Sequence, residues 1–150
     1  MIQRLKQKHL FDCYDLIKNN KDTEDFYITW NENRIGLNNL QILKKVLKQQ
    51  EVYGIYDSNL VAIMIIYKEK GYRPYIKLLA NNSKYYNHFM IFLRWNIFGE
   101  LYLKIKKNSP LVKVANQNRW LFKGLRNNNE ILFCINNIKR SNYDERYIKD

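Results

Sequence analysis

The sequence predicts one α/β domain, a mixed sheet with helices packed on it, and three observations carry that expectation. Apolar residues recur at helical spacing over residues 40–50 and 85–98. Two β-branched and aromatic runs, 51–56 and 60–67, flank the turn formers Asp57, Ser58 and Asn59. Leu101, Leu103 and Ile105 alternate with Tyr102, Lys104 and Lys106, the period of a strand. With 150 residues and 46% hydrophobic content, the chain can bury a core without disulfides or metals. We therefore expect a single domain over residues 1–138 and a charged tail over 139–150.

The elements follow in order. Residues 2–5 form a short first strand, and Leu10, Cys13, Tyr14 and Ile17 then recur at helical spacing. Residues 26–37 are rich in aromatic side chains and show no clear period. In the next helix Leu40, Leu43, Val46 and Leu47 make the buried stripe, Asn38 or Asn39 supplies the N-cap, and Lys44, Lys45 and Lys48 face water. The runs 51–56 and 60–67 pair as a hairpin, and residues 75–80 add a third strand to an antiparallel meander.

Asn81, Asn82 and Ser83 end that strand and precede a helix whose core face is Tyr86, Phe89, Met90, Leu93 and Ile97. Gly99 stops the helix and the alternating strand follows. Asn108, Ser109 and Pro110 start a further helix, in which Leu111, Val114, Ala115, Asn118, Leu121 and Phe122 keep helical spacing as far as Gly124. Residues 130–135 form the last strand.

Several function classes lose support here. Every apolar run falls short of the roughly 18–20 residues a membrane span needs, and the first residues have no signal-peptide character, so we expect a cytoplasmic protein. Cys13 and Cys134 lack metal-site spacing and read as buried free thiols, and His9 and His88 form no metal-binding pattern, so no metal is expected. The 26 Lys and Arg against 14 Asp and Glu give a net charge of +12, which favours acidic surfaces, nucleic acid or phosphorylated ligands. AT-rich codons supply the same Asn, Lys, Ile and Tyr, and account for part of that charge.

The order helix, helix, three-stranded meander, helix, strand, helix, strand resembles the GNAT superfamily, the Gcn5-related N-acyltransferases, over nearly the whole chain. Residues 75–135 look like the family's cofactor-binding and closing segments, with Gly124-Leu125 similar to its Gly-Phe ending. The resemblance implies a central mixed sheet of about six strands flanked by about four helices and an acetyl-CoA-dependent enzyme. The family binds the cofactor pyrophosphate on an Arg/Gln-x-x-Gly-x-Gly/Ala loop, where glycine lets the backbone approach closely. The matching residues here run from Asn81 through Asn82, Ser83, Lys84, Tyr85 and Tyr86 to Asn87, without glycine. Asn82, Ser83, Lys84 and Tyr85 at the helix N-terminus are then what could hold a phosphate.

The family's general acid is commonly a tyrosine four residues before that Gly, where this chain has Trp120, whose indole has no usable acid proton. Tyr102 or Tyr85 could replace it, and of the meander's carboxylates, Glu51, Asp57 and Glu69, each reads as a surface charge. The catalytic residues therefore stay unassigned.

Two further patterns stand out. On the 85–98 helix, Tyr85, His88, Phe92 and Trp95 form a second stripe off the core face, either covered by the last helix or the tail or serving as a protein interface anchored on Phe92 and Trp95. Lys104, Lys106, Lys107, Lys113, Arg119, Lys123 and Arg126 make the closing segment basic, with Tyr102 and Trp120 as stacking candidates for exposed bases and ordinary solvated lysines as the plain account. The expectation is a non-catalytic GNAT-fold protein in a structural or assembly role, with protein partners or self-association, a bacteriophage particle being one setting that the AT-rich composition suggests. The alternatives are an acetyl-CoA-dependent N-acetyltransferase with a divergent pyrophosphate loop and a basic, non-specific nucleic-acid-binding accessory protein.

Overall fold

The computed structural model describes residues 2–20, 26–30, 33–68, 73–126 and 129–138. Its strands are β1 (Ile2–Arg4), β2 (Tyr27–Trp30), β3 (Asn33–Gly36), β4 (Glu51–Asp57), β5 (Asn59–Lys68), β6 (Pro74–Ala80), β7 (Gly99–Lys106), β8 (Leu121–Arg126) and β9 (Glu130–Asn137). The α-helices are α1 (Leu10–Lys18), α2 (Leu40–Gln49), α3 (Lys84–Asn96) and α4 (Leu111–Gln117). Seven strands form one sheet in the order β1-β4-β5-β6-β7-β9-β8, and β2 and β3 pair as a separate hairpin. The expected three-stranded meander is β4-β5-β6, and every pairing in the sheet is antiparallel except β6 with β7.

Each face of the sheet buries its own core. On one face α1, α2 and the hairpin enclose Leu5, Ile17, Leu43, Ile63 and Ile65, together with Ile28 and Leu37. On the other, α3 and α4 bury Phe89, Leu93, Val114 and Ala115 against Met64, Ile76, Leu103 and Phe133. Strand β5 is therefore covered on both sides, which is why its sequence is an unbroken apolar run rather than an alternating one. Asn39 caps α2, its Oδ1 accepting from the N–H groups of Gln41 and Ile42 at 2.9 and 3.1 Å. The buried Asn137 ties β9 to α3, its Nδ2 donating to the carbonyls of Leu93 and Ile97 at the helix's C-terminal end.

Two stretches depart from expectation. Residues 26–37 contain the β2–β3 hairpin, whose four-residue strands are too short to show a period. The helix expected to run to Gly124 ends at Gln117, and Leu121 and Phe122 belong to edge strand β8. Arg119 takes a positive φ of 65°. Its N–H bonds to the Asn116 carbonyl, and the Trp120 N–H reaches back to the carbonyl of Ala115 at 3.0 Å. These two bonds make a Schellman motif, with Trp120 folded down onto Ala115. Gly124 is not a helix cap; it sits with φ 127° where the β8–β9 register shifts. The tail 139–150 lies outside the described residues.

Candidate active site

Strands β6 and β7 run parallel but pair only at Tyr75 with Tyr102 and Ile76 with Leu103, after which they separate. The next positions on the α1/α2 face would bring Lys77 opposite Lys104, and like charges directly opposed disfavour pairing. Instead the Lys77 ammonium lies 4.4 Å from the Tyr27 ring centroid and that of Lys104 lies 4.6 Å from the Tyr75 ring. At the closed end of the split, Tyr67, Tyr75 and Tyr102 form an aromatic row across β5, β6 and β7, with centroids 5.9 and 5.4 Å apart.

The split leaves a cleft of about 330 Å³ that reaches both faces of the sheet. Tyr27, Lys77, Leu79, Lys104, Lys106 and Glu130 line it on the α1/α2 side, and Ile76, Leu78, Tyr86, Leu103, Ile105 and Leu111 on the α3/α4 side. Strand edges that no neighbouring strand pairs can bond a linear, amide-bearing ligand. A second hollow, about 420 Å³, lies over α2 among Gln7, Gln41, Ile42 and three lysines, but the lysine and glutamine walls are exposed side chains and the hollow carries no buried polar group to orient a ligand.

Glu130, at the start of β9, is buried on the α1/α2 side of the cleft. Its Oε2 accepts from the Tyr27 hydroxyl at 2.7 Å, and its Oε1 lies 3.5 Å from Nη2 of Arg34. The hairpin that sequence periodicity could not resolve thus supplies both partners of this carboxylate. Glu130 was equally hard to single out, because its burial comes from long-range packing of the hairpin about a hundred residues earlier.

The phosphate-binding candidates do not line the cleft. The loop from Asn81 to Ser83 is closed on itself: the Lys84 N–H bonds Oδ1 of Asn82 at 3.0 Å, the Tyr85 N–H bonds the Asn82 carbonyl, and the Tyr86 N–H bonds that of Ser83. Three N–H groups at the start of α3 are thereby occupied, and the lost glycines remove the close approach that a diphosphate needs. With those N–H groups occupied and no glycine present, the loop fits a pyrophosphate poorly.

Trp120 is buried beside Ala115 and outside the cleft. Tyr85 points its hydroxyl at Asp57, 3.4 Å away. The Tyr102 hydroxyl donates to Glu100 at 2.8 Å, and that bond, with burial, pushes its pKa up to about 12. Burial of Tyr102 and Trp120 also removes both as stacking surfaces for exposed bases. Two phenols line the cleft, Tyr27, whose hydroxyl is bonded to Glu130, and Tyr86 on α3.

The second stripe of α3 does not share one cover. Phe92 is half-buried with its ring 4.8 Å from that of Tyr53 on β4, so the domain itself shields it, while Trp95 is 48% exposed and Ile91, one turn before it, 58%. Glu51 lies 3.6 Å from Arg4 at the surface, Asp57 is exposed, and Glu69 lies outside the described residues. Cys13 and Cys134 are buried free thiols, as the sequence suggests. Among the described residues no helix is long and apolar enough to cross a membrane.

No protein-family model and no curated protein matches the chain. Solved structures do. A GNAT-family acetyltransferase from Bacillus cereus superposes with a TM-score of 0.68 at 10% identity, covering 93% of this chain and 98% of its own. A variant of the spermidine N-acetyltransferase of Vibrio cholerae gives 0.68 at 12% identity, covering 91% and 93%. A probable acetyltransferase from Staphylococcus epidermidis gives 0.63 at 18%, covering 92% and 99%. The chain has the GNAT fold, mixed α and β around a mostly antiparallel sheet.

Proposed function

We propose that the chain is an N-acyltransferase that uses the β6/β7 cleft to bring a thioester donor, acetyl-CoA or a close analogue, to an amine. The observation that carries this reading is a buried carboxylate, Glu130, held on one side of a cleft that passes through the sheet. The structures the fold resembles are named as acetyltransferases, which supports the same class. Acetyl-CoA, when bound, supplies an acyl group on a thiol leaving group. The protein's own part is to hold the donor arm along the β6 and β7 edges and to accept a proton from the amine on Glu130. Tyr27 and Arg34 fix the orientation of that carboxylate. Tyr86, from the α3 side, is the phenol placed to return a proton to the departing thiolate.

The test is thiol release from acetyl-CoA in the presence of a panel of primary amines. We expect turnover that falls about 10²-fold or more in Glu130→Gln, with thermal stability little changed. Because the loop is closed, we expect the cofactor to bind more weakly than about 10 μM by calorimetry. Absence of turnover with every amine overturns the proposal.

A second reading, a non-catalytic scaffold, draws on the closed loop, on Trp120 where the family's acid stands, and on Ile91 and Trp95 exposed one turn apart on α3. It predicts self-association or partner binding that Trp95→Ser weakens.

A further inference from the structure

We infer that the outer edge of β8 is a docking site for an extended peptide segment in which acidic residues alternate with apolar ones, bound as one more strand of the sheet. Strand β8 ends the sheet, with β9 on its inner side and, among the described residues, no strand or backbone hydrogen bond on its outer side. A row of N–H and C=O groups left unpaired is a template for another strand. The side chains match that opening, since Leu121, Phe122 and Leu125 are 63%, 60% and 62% exposed. No residue of β8 lines the β6/β7 cleft, so this surface is separate from the acyl-transfer site.

Register places these side chains on both faces of the sheet. Phe122 sits opposite Phe133 and Leu125 opposite Ile131, on the α3/α4 side, whereas Leu121 sits opposite Cys134 and Arg126 opposite Glu130, on the α1/α2 side. A membrane surface meets one face of a strand and leaves its edge unbonded, but a neighbouring strand packs along both faces and bonds the edge as well. The charge then selects which strand. Lys123 and Arg126 are exposed, and among the described residues neither enters an ion pair or a side-chain hydrogen bond. Glu130, the register partner of Arg126, turns its carboxylate to Tyr27 and Arg34. The other acid of residues 99–138 is Glu100, which lies beyond the Leu121 end of β8, opposite Asn136, and accepts from Tyr102. A second copy pairing edge to edge about a two-fold axis would bring Lys123, at the centre of the strand, next to its own equivalent, and like charges there oppose pairing. An incoming strand of alternating character instead sets apolar side chains on Phe122 and Leu125 and carboxylates on the Arg126 side. A Cβ at Gly124 meets nothing within 4 Å, so the domain leaves room beside the bulge.

The experiment uses the full chain and short fluorescent peptides: valine alternating with glutamate, valine alternating with lysine, serine alternating with glutamate, and the valine–glutamate peptide with the backbone nitrogens of its pairing edge methylated. Binding is followed by anisotropy at fixed ionic strength. We expect the valine–glutamate peptide to bind about tenfold or more tightly than each of the others. Phe122→Ser, and separately Lys123→Glu combined with Arg126→Glu, should each weaken it by about tenfold. The charge-reversed protein should prefer the valine–lysine peptide. The substituted side chains are exposed, so the melting temperature should change little.

No saturable binding of the valine–glutamate peptide up to about 1 mM overturns the inference. Equal binding of the methylated peptide also overturns it, because the surface is then a charge patch and not a strand edge. Self-association that Phe122→Ser abolishes, with no peptide bound, gives the edge to a second copy, and duplex DNA binding that falls with Phe122→Ser, with no peptide bound, gives it to nucleic acid; either result removes the acidic strand. Acyl transfer should be the same in these variants as in the unaltered protein, so the failure of one reading leaves the other standing. Should a variant fail to fold, the ranking of the peptides on the unaltered protein still decides.

Discussion

At the scale of single residues, the thiol of Cys13 and the phenol of Tyr102 are held protonated beyond their ordinary range. Cys13 lies wholly inside the α1/α2 core, and burial, with the nearby Asp12 charge adding to it, pushes its thiol up from 9.0 to about 12. Tyr102 moves from 10.0 to about 12, first through its bond to Glu100 and then through burial. In both cases, at pH values between the unfolded and folded pKa, the folded state holds a proton that the unfolded chain has lost. The stability this contributes is complete below the unfolded values and disappears as pH rises through about 9 to 12. We expect the denaturant midpoint to fall across that window, and less steeply in Cys13→Ala. A thiol reagent at pH 8 should modify neither cysteine until the protein is unfolded, since the thiolate is the reactive form. Rapid labelling of the native protein would show that the α1 face opens.

At the scale of elements, the turn after α4 decides what the closing segment can do. Arg119 holds a left-handed conformation with φ 65°, which costs a residue with a Cβ about 1 kcal/mol. Arg119→Gly should therefore raise stability by ~0.5–1 kcal/mol, and Arg119→Val should lower it, both read from chemical denaturation. Equal stability in the two variants would mean the turn is not under this constraint. The same position shows why part of the fold was hidden in the sequence. Leu121 and Phe122 continue the helical spacing of Leu111 and Val114, and the expected stop, a glycine, is absent because an arginine takes its place. Where local chemistry sets an element, the sequence was readable: Asn39 as a cap, Asp57-Ser58-Asn59 as a turn, β5 as a buried strand. The site was legible only where it follows the chain, in the β6–loop–α3 order. Its carboxylate, its hairpin partners and its opposed lysines are brought together by contacts that no local pattern records.

At the scale of the whole molecule, the surplus of 26 basic over 14 acidic residues acts on any polyanion that approaches. The structure sorts part of that charge. Lys104 and Lys106 belong to the cleft, whereas Lys107, Lys113, Lys123 and Arg126 are exposed on the β7–α4–β8 end of the domain. Tyr102 and Trp120 are interior, and the aromatic ring exposed beside these cations is Phe122 on β8. Binding to DNA should then be driven mainly by counterion release and be indifferent to sequence. We expect a duplex of any sequence to be retained at about 50 mM salt, with affinity falling by about 10³-fold or more by 200 mM if six or more phosphates are neutralised. Lys107→Glu with Lys113→Glu should lower the salt slope, while Lys77→Gln, in the cleft, should leave it unchanged. A footprint confined to one sequence and persisting at several hundred millimolar salt would show that base edges are read by groups other than these exposed lysines, and would return nucleic acid to the list of specific partners.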